Sequence, residues 1–172
     1  IRDLRIEAKA NDQWSQIVRG VSLTIGKGEV LGLVGESGAG KSTIGLAALG
    51  YLRPGARATG GSVRLMGTDL LTIPEEERRP LRGTKVAYVA QSAQAAFNPV
   101  HRLMDQITMV AVDRGGLTRE EAAKRAVDLF TALQLPDPQN FGARYPHQVS
   151  GGQLQRLMAA MALIAEPELV IL

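Results

Sequence analysis

Polar and apolar residues alternate along Arg2–Lys9 (RDLRIEAK), the two-residue period of a strand with one face buried. Asn11-Asp12-Gln13 has turn chemistry. Ile17–Ile25 resumes the alternation with β-branched residues, which predicts a strand returning toward the first. After a second turn at Gly26-Lys27-Gly28, Val30–Val34 is a short apolar run, long enough for a buried strand and too short for a helix. Ser42–Leu52 reads as a helix broken by Pro54-Gly55. Ser62–Met66 reads as a short strand, Glu75–Arg82 as a charged helical piece, and Lys85–Ala90 (KVAYVA) as another buried strand.

From about Pro99 the pattern becomes helical. Thr118 is suited to cap a helix, and Glu121 three residues on completes a capping box. Behind it Ala122, Ala126, Leu129, Phe130 and Leu133 recur at helical spacing as one apolar stripe, which Pro136 and Pro138 end. A further helix fits Gly152–Ile164, and Leu169–Leu172 fits a buried strand. The interleaving of strands and helices predicts an α/β fold.

Composition narrows the partners. The 172 residues make about one domain. The net charge of +3 suits a phosphate-bearing ligand or an acidic partner, but the basic residues are scattered and aromatics reach only 4%. That is too few for base-stacking platforms, so no nucleic acid is expected. With no cysteine, disulfides and thiolate chemistry are excluded. No apolar run approaches the ~20 residues that span a bilayer, and no apolar segment follows a basic start. A cytosolic setting is expected, with membrane attachment through another protein. The chain opens at Ile1 and stops at Leu172 inside an apolar run, and so reads as part of a longer protein.

The chemistry is concentrated in Gly35-Glu36-Ser37-Gly38-Ala39-Gly40-Lys41-Ser42, followed by Thr43, which satisfies G-x-x-x-x-G-K-[ST] between a predicted strand and a predicted helix. Glycines let the backbone approach phosphate oxygens. Successive N–H groups and the helix N-terminus present partial positive charge to an anion. Lys41 would bridge the β- and γ-phosphates and the Ser42 hydroxyl would ligate Mg²⁺, so MgATP is expected over Gly35–Thr43. A glycine-rich turn with a coincidental lysine is the plain alternative, against which the strand, Lys-Ser-Thr and helix weigh together. The loop alone does not separate a kinase from a GTPase or a motor.

Ser150-Gly151-Gly152-Gln153, inside YPHQVSGGQLQR (Tyr145–Arg156), makes that separation. A hydroxyl and glycine amides at a helix N-terminus form a second anion site. The same residues also read as an N-cap with Gln153 at the third helical position. Downstream of the phosphate loop, this stretch closely resembles the signature of the ATP-binding cassette (ABC) ATPases, and the resemblance covers essentially the whole chain. It implies that Ser150–Gln153 face the γ-phosphate held by a second ABC domain, with ATP sandwiched in a head-to-tail homo- or heterodimer. It also implies that Gln91, at the end of Val86–Ala90, touches Mg²⁺ and the attacking water, while the following segment leans on a transmembrane partner.

Gln91–Pro99 (QSAQAAFNP), Val100, Gln106-Ile107, Asp69-Leu70, Arg82-Gly83 and Tyr145-Pro146-His147 resemble the ATPases of oligopeptide, dipeptide and nickel importers. Ser92 and Ala93 stand where that group usually has Asp-Pro, Ala90 where it often has Phe, and Val149 replaces the signature leucine. These departures bear on the transported substrate and not on the nucleotide chemistry. The family stacks an aromatic on adenine near the first turn. Trp14, the only tryptophan, lies in that region about two residues out of register, and reads equally well as a strand anchor.

The resemblance therefore implies a P-loop NTPase core with a mainly parallel sheet, an antiparallel β layer near the N-terminus and an inserted helical subdomain. Its parts are a core over residues 1–91, a helical subdomain with the signature over 92–158, and a return to the core over 159–172. It implies an ATPase on the cytoplasmic face of a membrane, attached through permease subunits and served indirectly by an extracytoplasmic substrate-binding protein. The family's catalytic Asp-Glu follows the strand matched by Leu169–Leu172, and its γ-phosphate histidine comes later. No catalytic residue is therefore assigned within 1–172, and hydrolysis by these residues alone is not expected. A non-transport ABC ATPase of translation or DNA-repair type is the competing function. Repair ATPases place a long coiled coil between loop and signature, and no sustained heptads occur here. A P-loop kinase or GTPase leaves Ser150–Gln153 unexplained.

Overall fold

The first turn decides how the N-terminal strands meet. Asn11 and Asp12 have φ of 49° and 61°, the backbone of a two-residue turn whose twist matches its flanking strands. Strand β1 (Arg2–Ala10) therefore folds back on β2 (Gln13–Val21), with Ala10 opposite Gln13. The strand predicted over Ile17–Ile25 thus starts at Gln13 and ends at Val21. Its first half lacks an apolar signal because β2 lies at the sheet edge, where polar residues suffice.

This computed structural model describes residues 1–172 and divides into two units, Ile1–Arg78 and Arg79–Leu172. In the first, β3 (Ala56–Ser62) pairs antiparallel with the other side of β1, giving the order β2-β1-β3. The ARATGGS sequence of β3 carries no alternation, and the strand expected over Ser62–Met66 resolves into the end of β3 and the short β4 (Arg64–Leu65). β4 pairs with β5 (Thr68–Asp69). Leu4, Ile6 and Val18 are buried on one face of the three-stranded sheet.

Helix α1 (Lys41–Ala48) stops short of the predicted Leu52. Gly50 adopts φ 63°, its N–H donates to the Ala47 carbonyl at 2.8 Å, and the Tyr51 N–H donates to the Leu46 carbonyl at 3.1 Å. This paired closure with a left-handed glycine is the Schellman motif, so Gly50 ends the helix before Pro54-Gly55 is reached. The buried strand expected at Val30–Val34 is not formed. No strand pairs with it, and Val30 and Val34 are 98% and 93% exposed. Apolar content alone does not make a strand; its N–H and C=O groups need lateral partners.

The second unit takes in the C-terminal part of α2 (Glu75–Leu81) and is organised by helices. β6 (Val86–Tyr88) pairs in parallel with β7 (Leu169–Ile171), Val86 opposite Leu169. Helices α3 (Ala93–Ala96), α4 (Leu103–Asp113), α5 (Arg119–Ala132), α6 (Pro138–Phe141) and α7 (Gly151–Leu163) enclose Leu103, Ile107, Phe130, Phe141 and Leu157, each fully buried. Phe130 and Phe141 meet edge to face at 6.2 Å, a favoured aromatic geometry. The predicted stripe on α5 holds: Ala122, Ala126 and Phe130 are buried, with Leu129 and Leu133 packed against that core.

The Thr118–Glu121 box forms as predicted. The Glu121 N–H donates to the Thr118 hydroxyl at 3.2 Å, and the Glu121 carboxylate accepts from the Thr118 N–H at 2.8 Å. The backbone and side-chain hydrogen bonds from Thr118 hold the Glu121 carboxyl below the usual glutamate range. At Gly83, φ is 85° and an added Cβ would lie 2.8 Å from Cγ1 of Val110 on α4, so both conformation and space require glycine there.

Candidate functional site

The loop from Gly35 to Gly40 is shaped by its glycines. Gly35, Gly38 and Gly40 have φ of 152°, 83° and 82°, and Gly40 caps α1 from the left-handed region. An added Cβ at Gly40 would lie 3.1 Å from the Ile17 carbonyl oxygen, so only a bare backbone lets the loop lie this close to β2. Helical bonding starts with the Ile44 N–H, which donates to the Gly40 carbonyl at 2.9 Å. The amides of Lys41, Ser42 and Thr43 therefore open the helix without an acceptor in the preceding turn. No acidic side chain lies in that first turn, which leaves its positive end undiluted for an anion.

Lys41 folds back over the loop. Its ammonium donates to the Gly35 and Glu36 carbonyls at 2.7 and 2.6 Å, which places a fixed positive charge at the start of the loop. Glu36, Ser37, Gly38 and Ala39 are exposed, as is Ser42. Beside the loop lies a groove of about 510 Å³, lined by Gly38 and Ala39 and by Gln16–Arg19 of β2. The motif does not reveal Gln16 or Arg19 as lining the same groove as the loop, because β2 is brought there by packing against Gly40 and not by spacing.

Trp14 stands opposite Lys9 in the hairpin. Its ring is covered at 3.9 Å by the Arg57 guanidinium, which also bonds the Glu7 carboxylate at 2.9 Å. Its immediate partners are thus on β1 and β3, not in the phosphate loop.

In the second unit Gln91 is exposed, three residues beyond the end of β6 at Tyr88. Asn98 follows on the same segment, and its backbone is gripped by Gln106 of α4. The Gln106 amide oxygen accepts from the Asn98 N–H at 2.8 Å, and its NH₂ donates to the carbonyls of Asn98 and His101 at 3.0 Å. The Asn98 side chain in turn accepts from the Val100 N–H at 3.1 Å. The Asn-Pro sequence hints at a turn there, but the clamp from Gln106 has no sequence signal beyond its presence.

The Ser150 hydroxyl accepts from the Gln153 N–H at 3.3 Å, and the Gln153 amide oxygen accepts from the Ser150 N–H at 2.9 Å. Ser150 therefore caps α7 in a reciprocal box. Gly151 and Gly152 follow, both exposed, with open space where a Cβ would stand. A short 3₁₀ turn at Pro146–Gln148 leads into the cap. It is braced by stacking of Tyr145 on His147 at 5.7 Å and by Arg102 over the Tyr145 ring at 5.4 Å.

A glycine-shaped loop, a lysine over its carbonyls and a following helix define this as a P-loop protein of the α/β class. The family profile for ABC transporters matches residues 18–172, and the chain belongs to that family. Among curated relatives, a probable peptide ABC transporter ATP-binding protein of Sinorhizobium fredii is 36% identical over 172 residues, covering 99% of this chain and 51% of its own length. The oligopeptide transport ATP-binding protein OppD of Salmonella typhimurium is 35% identical over 171 residues, with coverage of 99% and 51%. The dipeptide transport ATP-binding protein DppD of Bacillus subtilis is 36% identical over 172 residues, again with 99% and 51%. The chain thus spans about half the length of these relatives. Among solved structures, the dimeric ATP-binding cassette MJ0796 in a post-hydrolysis state with ADP and Pi superposes with a TM-score of 0.82 at 25% identity, covering 98% of this chain and 70% of that one.

Proposed function

We propose that Gly35–Thr43 binds MgATP and that the whole protein is the ATP-hydrolysing subunit of an importer for peptides or nickel. The observation that carries this reading is the loop itself: three glycines at positive φ, unpaired helix amides and the Lys41 ammonium converge on one exposed turn. These are the groups that stabilise a polyphosphate. Ser42, exposed at the second position of α1, suits Mg²⁺, which takes one or two protein ligands and completes its shell with phosphate oxygens and water. When bound, Mg²⁺ would neutralise charge on the β- and γ-phosphates. Gln91 is its second candidate ligand. Trp14 is the candidate for adenine, and with Arg57 on one ring face any stacking would use the other.

Ser150–Gln153 is proposed to close on the γ-phosphate held by a second ABC domain, a reading supported by the dimeric state of MJ0796. Residues 1–91 and 159–172 would act as core and 92–158 as the helical part that follows permease subunits. In the whole protein this would occur at the cytoplasmic face of the membrane, with a substrate-binding protein acting from the other side. The peptide assignment is supported by the names of the relatives, and nickel by the resemblance of Gln91–Pro99 to both groups of importer.

Equilibrium binding of MgATP to the Lys41→Ala variant tests the site. Loss of most of the affinity is expected, and unchanged binding would remove the phosphate-loop reading.

A further inference from the structure

We infer that Arg19 supplies a second cation to the phosphate chain of the bound nucleotide, an inference that rests on the Gly35–Thr43 reading above. Arg19 lies on β2, the edge strand, and lines the groove of about 510 Å³ that Gly38 and Ala39 of the loop also line. A groove of this volume suits a small ligand. The same strand touches the loop directly, since the Ile17 carbonyl stands where a Gly40 side chain would begin.

The charges of the sheet, taken with the groove, single out Arg19. Arg5, Lys9 and Arg57 are each held by a carboxylate: Asp3 at 3.1 Å, Asp12 at 2.8 Å and Glu7 at 2.9 Å. Arg19 stands directly opposite Arg5, and like charges across a strand pair are destabilising. Asp3 answers only Arg5, and Arg19 is exposed and enters no ion pair. Arg2 and Arg19 thus stay uncompensated on the sheet, and of the two only Arg19, kept against cross-strand repulsion, lines the groove that the phosphate loop also lines. A guanidinium stays charged at every working pH and offers a planar fork to phosphate oxygens, where Lys41 offers a point charge.

The test is a binding series on the purified full-length protein with MgATP, MgADP, AMP and adenosine. Arg19→Ala should weaken MgATP about three- to tenfold, the range for a charge-assisted contact partly screened by solvent. Arg19→Lys should lose less and Arg19→Glu more. The loss should shrink with phosphate number, vanish for adenosine, and diminish as salt is raised. Thermal unfolding serves as the fold control, with Arg19→Gln as the substitute should Arg19→Ala disturb the strand edge. Lys41→Ala is measured in parallel. If Lys41→Ala abolishes binding while the Arg19 variants match the parent, the role of Arg19 is overturned and the loop reading stands. Equal losses for adenosine and MgATP overturn it as well, since Arg19 would then act on base or ribose. If Lys41→Ala binds normally, the loop reading itself fails.

Discussion

Glycine is a poor residue with which to begin a helix unless something requires it, and α7 begins with two. Gly151 and Gly152 occupy its first two positions, neither has a left-handed φ, and a Cβ on either would meet no atom within 4 Å. The fold therefore gives no reason for either residue. Glycine costs about 1 kcal/mol relative to alanine inside a helix, and replacement at a compatible position recovers about 0.4–1 kcal/mol by restricting the unfolded chain. Allowing for the weaker demand of a first turn, the double variant G151A/G152A should be about 1 kcal/mol more stable, a rise in Tm of ~2 °C in the longer full-length protein. If the bare amides instead serve the phosphate of a partner domain, two methyl groups would obstruct that approach. The full-length variant should melt higher, bind MgATP as before, and fail to form nucleotide-dependent dimers. Calorimetry and sedimentation with and without MgATP read both arms. Dimers at parental strength, or a lower Tm, would refute the argument and return the glycines to a role in the fold.

Gly83→Ala places a methyl against Val110 at a backbone angle that L-residues avoid; a loss of about 1–3 kcal/mol is expected in urea unfolding, eased when Val110→Ala is added. Glu121 has its carboxyl lowered by the Thr118 bonds, so its contribution is full above the ordinary glutamate value and is lost as pH falls through the depressed one. Glu121→Gln should therefore be less stable than the parent at neutral pH, with the difference closing as pH falls through the depressed value, as followed by unfolding at successive pH values.

The helices of the second unit are readable in the chain because their signals are local. Thr118 and Glu121 lie one turn apart, and Ala122, Ala126 and Phe130 repeat at the helical period, so box and buried stripe both follow from spacing. The sheets depend on partners distant in sequence. β3 is built of ARATGGS and exists because β1 offers it hydrogen bonds. Val30–Val34 has the apolar content of a strand and no partner, and is not one. The end of α1 lies between these cases: Gly50 was visible, but Pro54-Gly55 is the stronger breaker by composition, and only the two closing hydrogen bonds show which acts first.

The same division runs through the candidate site. Phosphate chemistry is written in contiguous residues because amides that converge on one anion must come from successive positions, and Gly35–Thr43 is therefore conspicuous. The groups beside the anion face no such constraint. Trp14 could be placed near the first turn by sequence, but the Arg57 guanidinium over its ring comes from another strand. Arg19 shares a groove with the loop although it stands nineteen positions before Gly38 in sequence. Lys41 shows where motif and structure differ in content. The motif says that a lysine meets phosphate, whereas the structure has that ammonium already bonded to Gly35 and Glu36. Those carbonyls hold the ammonium over the loop, so the ordering of a long, flexible side chain is met largely before any anion arrives. Pre-organisation of this kind lets a single half-buried lysine contribute more to affinity than an unrestrained surface cation would.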